Sequence, residues 1–183
     1  MKKLSRGHIY TPTNLNSIIL RRLSENDTCL RRIKFSSYNI GSHGVHTLSE
    51  VLRYNTNLTA LDLSSNSIGV EGAKSIAMLL QYQSTMMSTL SSTTSESHNN
   101  ININVEGGIK TLMLCDNNLR NEGMKVLADA LEGSIIEHLW IDDNCIGASG
   151  LSILTEALKR NTKLTRLHLR HNTFQSLKPL IDW

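Results

Sequence analysis

The stretch Leu58-Thr-Ala-Leu-Asp-Leu-Ser-Ser-Asn-Ser-Ile68 contains the pattern that decides the fold of this 183-residue chain. It reads as an aliphatic residue, two variable residues, an aliphatic–x–aliphatic triplet, two more residues, Asn, one more residue and an apolar residue. Copies begin at Leu30, Leu58, Ile109, Ile136 and Leu164, and four of them have Asn at the ninth position: Asn66, Asn117, Asn144 and Asn172. Self-similarity at a period of this length indicates a solenoid of stacked supersecondary units.

The fourth copy shows which local structure each unit predicts. Leu139 and Ile141 alternate with other residue types, which is the period of two expected of a short, half-buried strand. Farther along, Leu151, Leu154 and Leu158 recur at helical spacing. Each copy therefore predicts a β-strand, a turn and a helix.

The repeated Asn has a physical reason. Where the chain turns sharply from strand to helix, backbone N–H and C=O groups point inward without partners. A buried side-chain amide can both donate to and accept from the backbone of its own and the adjacent coil. We expect the Asn residues to do this, because each buried group left unpaired costs about 1–3 kcal/mol. In the first copy the ninth position is Tyr38, so the series is interrupted there.

The spacing of the copies locates an insertion. Successive starts lie 28, 51, 27 and 28 residues apart, so the second copy carries about 23 extra residues. The segment 83–107 is rich in Ser, Thr and Asn and has no sustained periodicity, which predicts a disordered insertion there. Such a loop is tolerated because closure entropy grows only logarithmically with its length.

The two ends of the chain differ from its middle. Residues 1–29 predict an N-terminal tail and a capping helix, because 14–26 resemble the helical half of a repeat without its strand. Residues 30–183 form the predicted repeat domain. After the last strand pattern only a short segment follows, in which Leu177, Leu180, Ile181 and Trp183 could form a small apolar lid over the final layer.

These residues resemble the leucine-rich repeat, in the long 28-residue type of ribonuclease inhibitor. The most similar stretches are Leu58 to Ala73 and Leu151 to Leu169, and the resemblance extends from residue 30 to about 174. The same type occurs in NOD-like receptors and in the activating protein for the Ran GTPase. The resemblance implies an α/β solenoid, a curved horseshoe of about five repeats with parallel strands on its concave side and helices on its convex side.

The composition indicates which partners and which cellular compartment to expect. The net charge is +3 and the basic residues are spread along the chain, which does not favour a nucleic-acid partner. No apolar run approaches the roughly 18 residues that a membrane span needs. Three cysteines without paired spacing fit a reducing compartment, so we expect a cytoplasmic protein, with the nucleus as the alternative.

Motifs for catalysis and for cofactors are missing from the sequence. It contains no phosphate-binding loop, zinc-protease motif, nucleophile elbow or Cys-x-x-Cys pair. Asp142, Asp143, His168 and His171 are residue types that bind zinc, but a flat sheet rarely provides tetrahedral convergence. The sequence therefore predicts no enzyme, no cofactor, no metal and no small-molecule substrate.

The variable strand positions are the candidates for function. Positions three, five and seven of each copy should face the concave side, and neighbouring copies should be about 4.8 Å apart. An exposed Trp flanked by Met and His is the composition of a binding hot spot. We therefore predict a partner-binding site formed by Trp140, His138, Asp142, His168, Arg166, Arg170 and Met113.

Each of these predictions has a plainer alternative. Trp140 could lie flat on its own surface, covered by Met113 and His168. Asp142 and Arg170 could form only a surface ion pair, worth about 0–1 kcal/mol. Cys115 is not a candidate nucleophile, because the neighbouring Asp142 carboxylate should raise the pKa of its thiol.

The resulting hypothesis is a non-enzymatic protein-interaction module or scaffold whose concave face binds a partner protein. Two alternatives belong to other classes. One is a GTPase activator of the Ran type, whose partner is a small GTPase. The other is a fragment of a NOD-like sensor, which could sense or scaffold but not switch.

Overall fold

Five short strands form one parallel sheet, and they pair in chain order. The computed structural model describes residues 15–93 and 107–178. The strands are β1 (Arg32–Lys34), β2 (Ala60–Asp62), β3 (Thr111–Met113), β4 (His138–Trp140) and β5 (Arg166–His168). Each strand is the centre of one copy of the sequence pattern. Leu61 of β2 aligns with Leu112 of β3, and Leu112 aligns with Leu139 of β4.

A helix follows each of the first four strands, and one more helix precedes the sheet. The helices are α1 (Ser17–Ser24), α2 (Gly41–Leu52), α3 (Gly69–Thr93), α4 (Arg120–Leu131) and α5 (Ala148–Leu158). The predicted α/β solenoid is confirmed. None of the helices in residues 15–93 and 107–178 combines the length and apolar character required to cross a bilayer.

The core consists of stacked aliphatic layers, one from each copy. In the second copy the first, fourth, sixth and eleventh positions are Leu58, Leu61, Leu63 and Ile68, and all are at most 2% exposed. The corresponding residues of the third and fourth copies are buried equally well. Because each coil buries its apolar side chains only against its neighbours, the stability of the domain depends on the contacts between adjacent repeats.

The ninth-position Asn side chains join successive coils, as the sequence predicts. We call the segment that contains each of them the Asn turn. Asn117 Oδ1 accepts hydrogen bonds from the backbone N–H groups of Asn66 and Ile68, at 3.0 and 3.3 Å. Its Nδ2 donates to the carbonyls of Leu63 and Cys115. Each Asn therefore satisfies its own turn and the preceding coil.

The same geometry explains the exception at Tyr38. In the pairs described for Asn66, Asn117, Asn144 and Asn172, the carboxamide oxygen accepts from the coil before its own. Within the described residues no coil precedes the first strand, so an Asn at position 38 would find no such N–H groups there. Asn66 instead accepts from the backbone N–H of Tyr38, at 3.0 Å.

A second series of polar side chains forms hydrogen bonds at the opposite edge of the sheet, where strands β2 to β5 begin. We call these residues the strand-start residues: Asn55, Gln83, Ser134 and Asn161. Asn55 Nδ2 donates to the Leu23 carbonyl, and its Oδ1 accepts from the N–H of Leu58 at 2.8 Å. Asn161 repeats this arrangement farther along the solenoid. All four side chains are buried.

The first part of the predicted disordered insertion is helical. Residues 83–93 belong to α3, so this part of the predicted disordered segment is helical. Gln83 is only 2% exposed. Its Nε2 donates to the carbonyls of Leu52 and Asn55, and its Oε1 accepts from the N–H of Ile109. Gln83 thus belongs to the solenoid, and the central part of the predicted insertion, 94–106, lies outside the described residues.

The two ends of the solenoid are covered to different extents. At the N-terminal end α1 buries Leu20 and Leu23, and Asn16 caps the helix by accepting from the N–H of Ile18 at 2.8 Å. At the C-terminal end, Leu167 and Leu169 are only half-buried, although the matching residues of the fourth copy are fully buried. Of the predicted lid, Leu177 is 52% exposed, and Leu180, Ile181 and Trp183 lie outside the described residues.

Candidate functional site

The sheet register aligns the variable strand residues in straight rows across the concave face. The third positions form the row Arg32, Ala60, Thr111, His138 and Arg166. The fifth positions form the row Lys34, Asp62, Met113, Trp140 and His168. Five of the seven predicted site residues therefore lie in these two rows on three adjacent strands.

Trp140 is the centre of an aromatic cluster. Its ring stacks on that of His168, with centroids 5.0 Å apart and planes inclined by 19°. The ring of His138 meets it edge-on, at a centroid distance of 5.8 Å. His138 Nδ1 lies 3.4 Å from Thr111 Oγ1, within hydrogen-bonding distance. These contacts hold Trp140 half-buried in a defined position instead of leaving it free in solvent.

A shallow groove of about 610 Å³ runs along the rows from β1 to β5. Its small side chains, Ala60 and Thr111, lie between the long side chain of Arg32 at one end and the ring of His138 at the other. Met113 and Trp140 also line it. The predicted site omits five groove residues whose positions in the repeat are the same as those of the predicted residues: Arg32, Lys34, Ala60, Asp62 and Thr111.

The two remaining predicted residues, Asp142 and Arg170, lie beside the groove at the ends of their strands. They do not form the side-chain ion pair that the plainer interpretation expects. Asp142 Oδ1 instead accepts a hydrogen bond from the backbone N–H of Arg170, at 2.5 Å. The arrangement arises because the strands end here and leave that N–H available to a short carboxylate on the neighbouring coil.

Cys115 is on the other side of Asp142. Its Sγ lies 3.7 Å from Asp142 Oδ2. Burial raises the pKa of the Cys115 thiol, and the negative charge of Asp142 acts in the same direction. A thiol in this environment carries less thiolate at neutral pH and is a poor nucleophile.

The charged residues of the concave face fall into two groups. The acidic residues have backbone partners: Asp62 Oδ1 accepts from the N–H of Ser64 at 3.0 Å, and Asp142 bonds the N–H of Arg170. Arg32, Lys34 and Arg166 are exposed, and none has an ion-pair partner in the part of the chain that the structure describes. The ends of the groove therefore carry uncompensated positive charge.

The residues whose types could bind zinc, Asp142, Asp143, His168 and His171, are not brought together as a metal site. Within residues 15–93 and 107–178 there is no group of three or more His, Cys, Asp or Glu side chains placed to hold a metal ion. The two His rings beside Trp140 are engaged with its indole instead.

Comparison with known proteins supports the assignment of the fold. A family model described as Leucine Rich repeat matches residues 54–77 and 160–176, which include parts of the second and fifth copies. Together with the strand–turn–helix units and the Asn turns, this match decides the assignment.

The chain has the fold of a leucine-rich repeat protein.

Solved structures from leiomodin-1 and tropomodulin are among those that share this fold. The structure of Leiomodin-1 Actin-Binding Site 2 superposes with a TM-score of 0.67 at 19% identity, covering 91% of this chain and 86% of that one. The tropomodulin C-terminal domain of Caenorhabditis elegans also superposes with a TM-score of 0.67, at 16% identity, covering 88% and 84% of the two chains. At these identities the similarity concerns the fold of the chain alone.

One curated relative is similar in sequence. The Cep78 homolog of Drosophila melanogaster is 25% identical over 156 residues, which is 84% of this chain. The aligned part is 19% of the length of that relative, so this leucine-rich repeat chain spans about a fifth of it.

Proposed function

We propose that this leucine-rich repeat chain is a non-enzymatic protein-interaction module that binds a partner protein on its concave face. The observation that carries the proposal is the aromatic cluster: Trp140 and His138 line an open groove, and His168 stacks on Trp140. Aromatic residues that are held in place and partly desolvated are enriched among the residues that dominate binding energy at protein interfaces.

The comparisons support a protein partner in a limited sense. One of the solved structures with this fold is an actin-binding site of leiomodin-1, so the fold is compatible with protein binding. The sequence identity is too low to transfer actin as the partner. We also propose that the repeats are of the ribonuclease-inhibitor-like type, because three of the four spacings are 27 or 28 residues and each of the first four copies continues into an α-helix.

The cysteines support the proposed compartment. Cys29, Cys115 and Cys145 are all free thiols, which fits a reducing environment. We therefore include a cytoplasmic or nuclear location in the proposal. Neither the comparisons nor the described residues favour the GTPase-activating alternative or the NOD-like sensor fragment.

The test uses a photo-crosslinking amino acid placed on either side of the solenoid. Position 113 lies in the groove, and position 78 on α3 is the matched control, because both carry Met and Met78 is 60% exposed on the helical side. Irradiation in native cells should crosslink a discrete protein from position 113 but not from position 78. Mass spectrometry of the products identifies that protein.

Trp140→Ala in the same crosslinking chain should abolish the product from position 113. Its melting temperature must first be shown to match that of the parent, because Trp140 is half-buried. The proposal is wrong if the same proteins crosslink from both positions, or if Trp140→Ala leaves the product unchanged.

A further inference from the structure

The positive charges on the concave face lie at the two ends of one row. Arg32 on β1 and Arg166 on β5 both occupy the third position of their copies, and both are exposed. Four strand spacings separate them, which is at most about 19 Å along the sheet. Lys34 adds to the charge at the first end, and the backbone-bonded Arg170 adds its guanidinium near the second.

These basic side chains differ from several on the helical side. There, Lys74 pairs with Glu71 at 2.6 Å, and Arg160 pairs with Glu132 at 2.8 Å. In the described chain no such carboxylate reaches Arg32 or Arg166. A carboxylate brought by a partner would therefore find each guanidinium free to form the bidentate pair that Arg favours.

The middle of the groove has a different character. Ala60 and Thr111 are the shortest side chains of the third-position row, and they leave room between Arg32 and His138. Met113 and Trp140 border this space with apolar surface. Asp62 also lines the middle, so a uniformly negative ligand would meet like charge there. The centre thus fits an apolar side chain, and the two ends fit acidic ones.

We propose that the groove takes an extended protein segment that crosses the strands, with an acidic side chain at each end and an apolar side chain between them. This inference rests on the proposed function and specifies the partner's chemistry. Because an extended chain rises about 3.3 Å per residue, a span of about 19 Å separates the two acidic residues by about six positions. The central apolar side chain packs over Ala60 against Met113 and Trp140.

The charge pattern argues against a nucleic acid in the same groove. A nucleic-acid strand presents negative charge at every phosphate, including those over Asp62, and the concave rows carry basic residues only at their ends. The proposed segment places its negative charges only where the free guanidinium groups are.

The first experiment selects a phage-displayed library of random 12-residue peptides on the immobilised full chain. We expect enriched peptides to carry two Asp or Glu residues about six positions apart, with a Leu, Ile, Met or aromatic residue between them. Failure to enrich any peptide on the wild-type chain, or enrichment of peptides without paired acidic residues, overturns the inference.

The second experiment measures the affinity of a synthetic peptide from that selection. Trp183→Phe leaves Trp140 as the single tryptophan, so its fluorescence reports on the groove. We expect Arg32→Glu and Arg166→Glu each to weaken binding about tenfold. Lys125→Glu is the matched control, because Lys125 is an exposed basic residue of α4 on the helical side, and it should leave the affinity unchanged.

Exchange of one terminal acidic residue of the peptide for Lys should restore binding to one of the two Glu variants and not to the other, which also fixes the direction of the segment. Equal binding by wild type, Arg32→Glu and Arg166→Glu overturns the inference. Because Trp140→Ala removes the fluorescent reporter, isothermal titration calorimetry measures the affinity of this variant. If such a peptide still loses affinity with Trp140→Ala, the proposed function stands and only the charge assignment is wrong. If peptides bind Trp140→Ala as tightly as wild type, the peptide site is elsewhere and both proposals are wrong.

Discussion

The two edges of the sheet satisfy the same backbone requirement with different chemistry. At the Asn turns one residue type fills the same position in four successive copies. Among the strand-start residues, two Asn, a Gln and a Ser take the corresponding role. In both places a buried side chain donates to a carbonyl of an adjacent turn or coil and accepts a backbone N–H.

Chain length explains the difference. Every Asn turn has the same number of residues between strand and Asn, so the same side chain reaches the same groups. Asn55 and Asn161 each lie three residues before their copies begin, but the interval between the third and fourth copies is one residue shorter, and Ser134 lies two residues before Ile136. Where the insertion displaces the chain, Gln83 reaches from α3 to Ile109.

The largest effect is expected at an interior Asn turn. Asn117→Ala leaves the N–H groups of Asn66 and Ile68 without their acceptor and removes one of the donors to the carbonyls of Leu63 and Cys115. The site is 1% exposed, so water does not replace these bonds. We expect the free energy of unfolding to fall by about 3 kcal/mol or more. Urea denaturation followed by circular dichroism measures it. A loss below about 1 kcal/mol would contradict the assigned role of the Asn turns.

Gln83→Ala tests how much a strand-start residue that is not Asn contributes to the free energy of unfolding. The substitution leaves the Leu52 and Asn55 carbonyls and the Ile109 N–H without this partner. The bonds are 3.2–3.3 Å long, so we expect a smaller loss than at Asn117, about 2 kcal/mol in the same assay.

The matched control is Gln81→Ala, which removes the same side chain from an exposed position of the same helix. It should change the free energy of unfolding by less than about 0.5 kcal/mol. Ala has a higher helix propensity than Gln, so propensity does not account for a loss at either position. Equal losses from the two substitutions would contradict a specific role for the buried bonds of Gln83.

Asn172→Ala tests whether the contribution of an Asn turn to stability depends on its burial as well as on its hydrogen bonds. Asn172 Oδ1 accepts from the N–H groups of Asn144 and Ile146, as its counterparts do in the earlier copies. The residue is only half-buried because no described helix follows the fifth strand. Water can replace its bonds, so we expect a loss of about 1 kcal/mol in urea denaturation. A loss equal to that of Asn117→Ala would contradict burial as the deciding factor.

The labelling rate of Cys115 reports on the environment at the Asn-turn edge, and it is measured on the chain without any substitution. The raised pKa of Cys115 means that at a pH of about 8 less of the thiol is present as thiolate than in a free cysteine. We expect iodoacetamide to label Cys115 more slowly than N-acetylcysteine, with the rate still rising at pH values where that reference has levelled off. Peptide mass spectrometry separates Cys115 from the exposed Cys29 and Cys145. Labelling as fast as the reference would contradict a raised pKa of the Cys115 thiol.

The sequence by itself predicted the architecture and the order of residues across the concave face. The alternation of Leu61 and Leu63 around Asp62 determines which side chains are buried, and this depends only on the pleat of a strand. Equal copies then stack in register, so the rows containing Trp140 and Arg166 follow from position within the repeat.

The tertiary structure decided what depends on contacts between coils. The role of Gln83 follows from the carbonyls that Leu52 and Asn55 supply on the preceding coil, which no local pattern around residue 83 reveals. Asp142 bonds a backbone N–H instead of the Arg170 side chain because of where neighbouring strands end. Periodicity determines which face a side chain occupies, but its partner depends on the atoms that an adjacent coil places within reach.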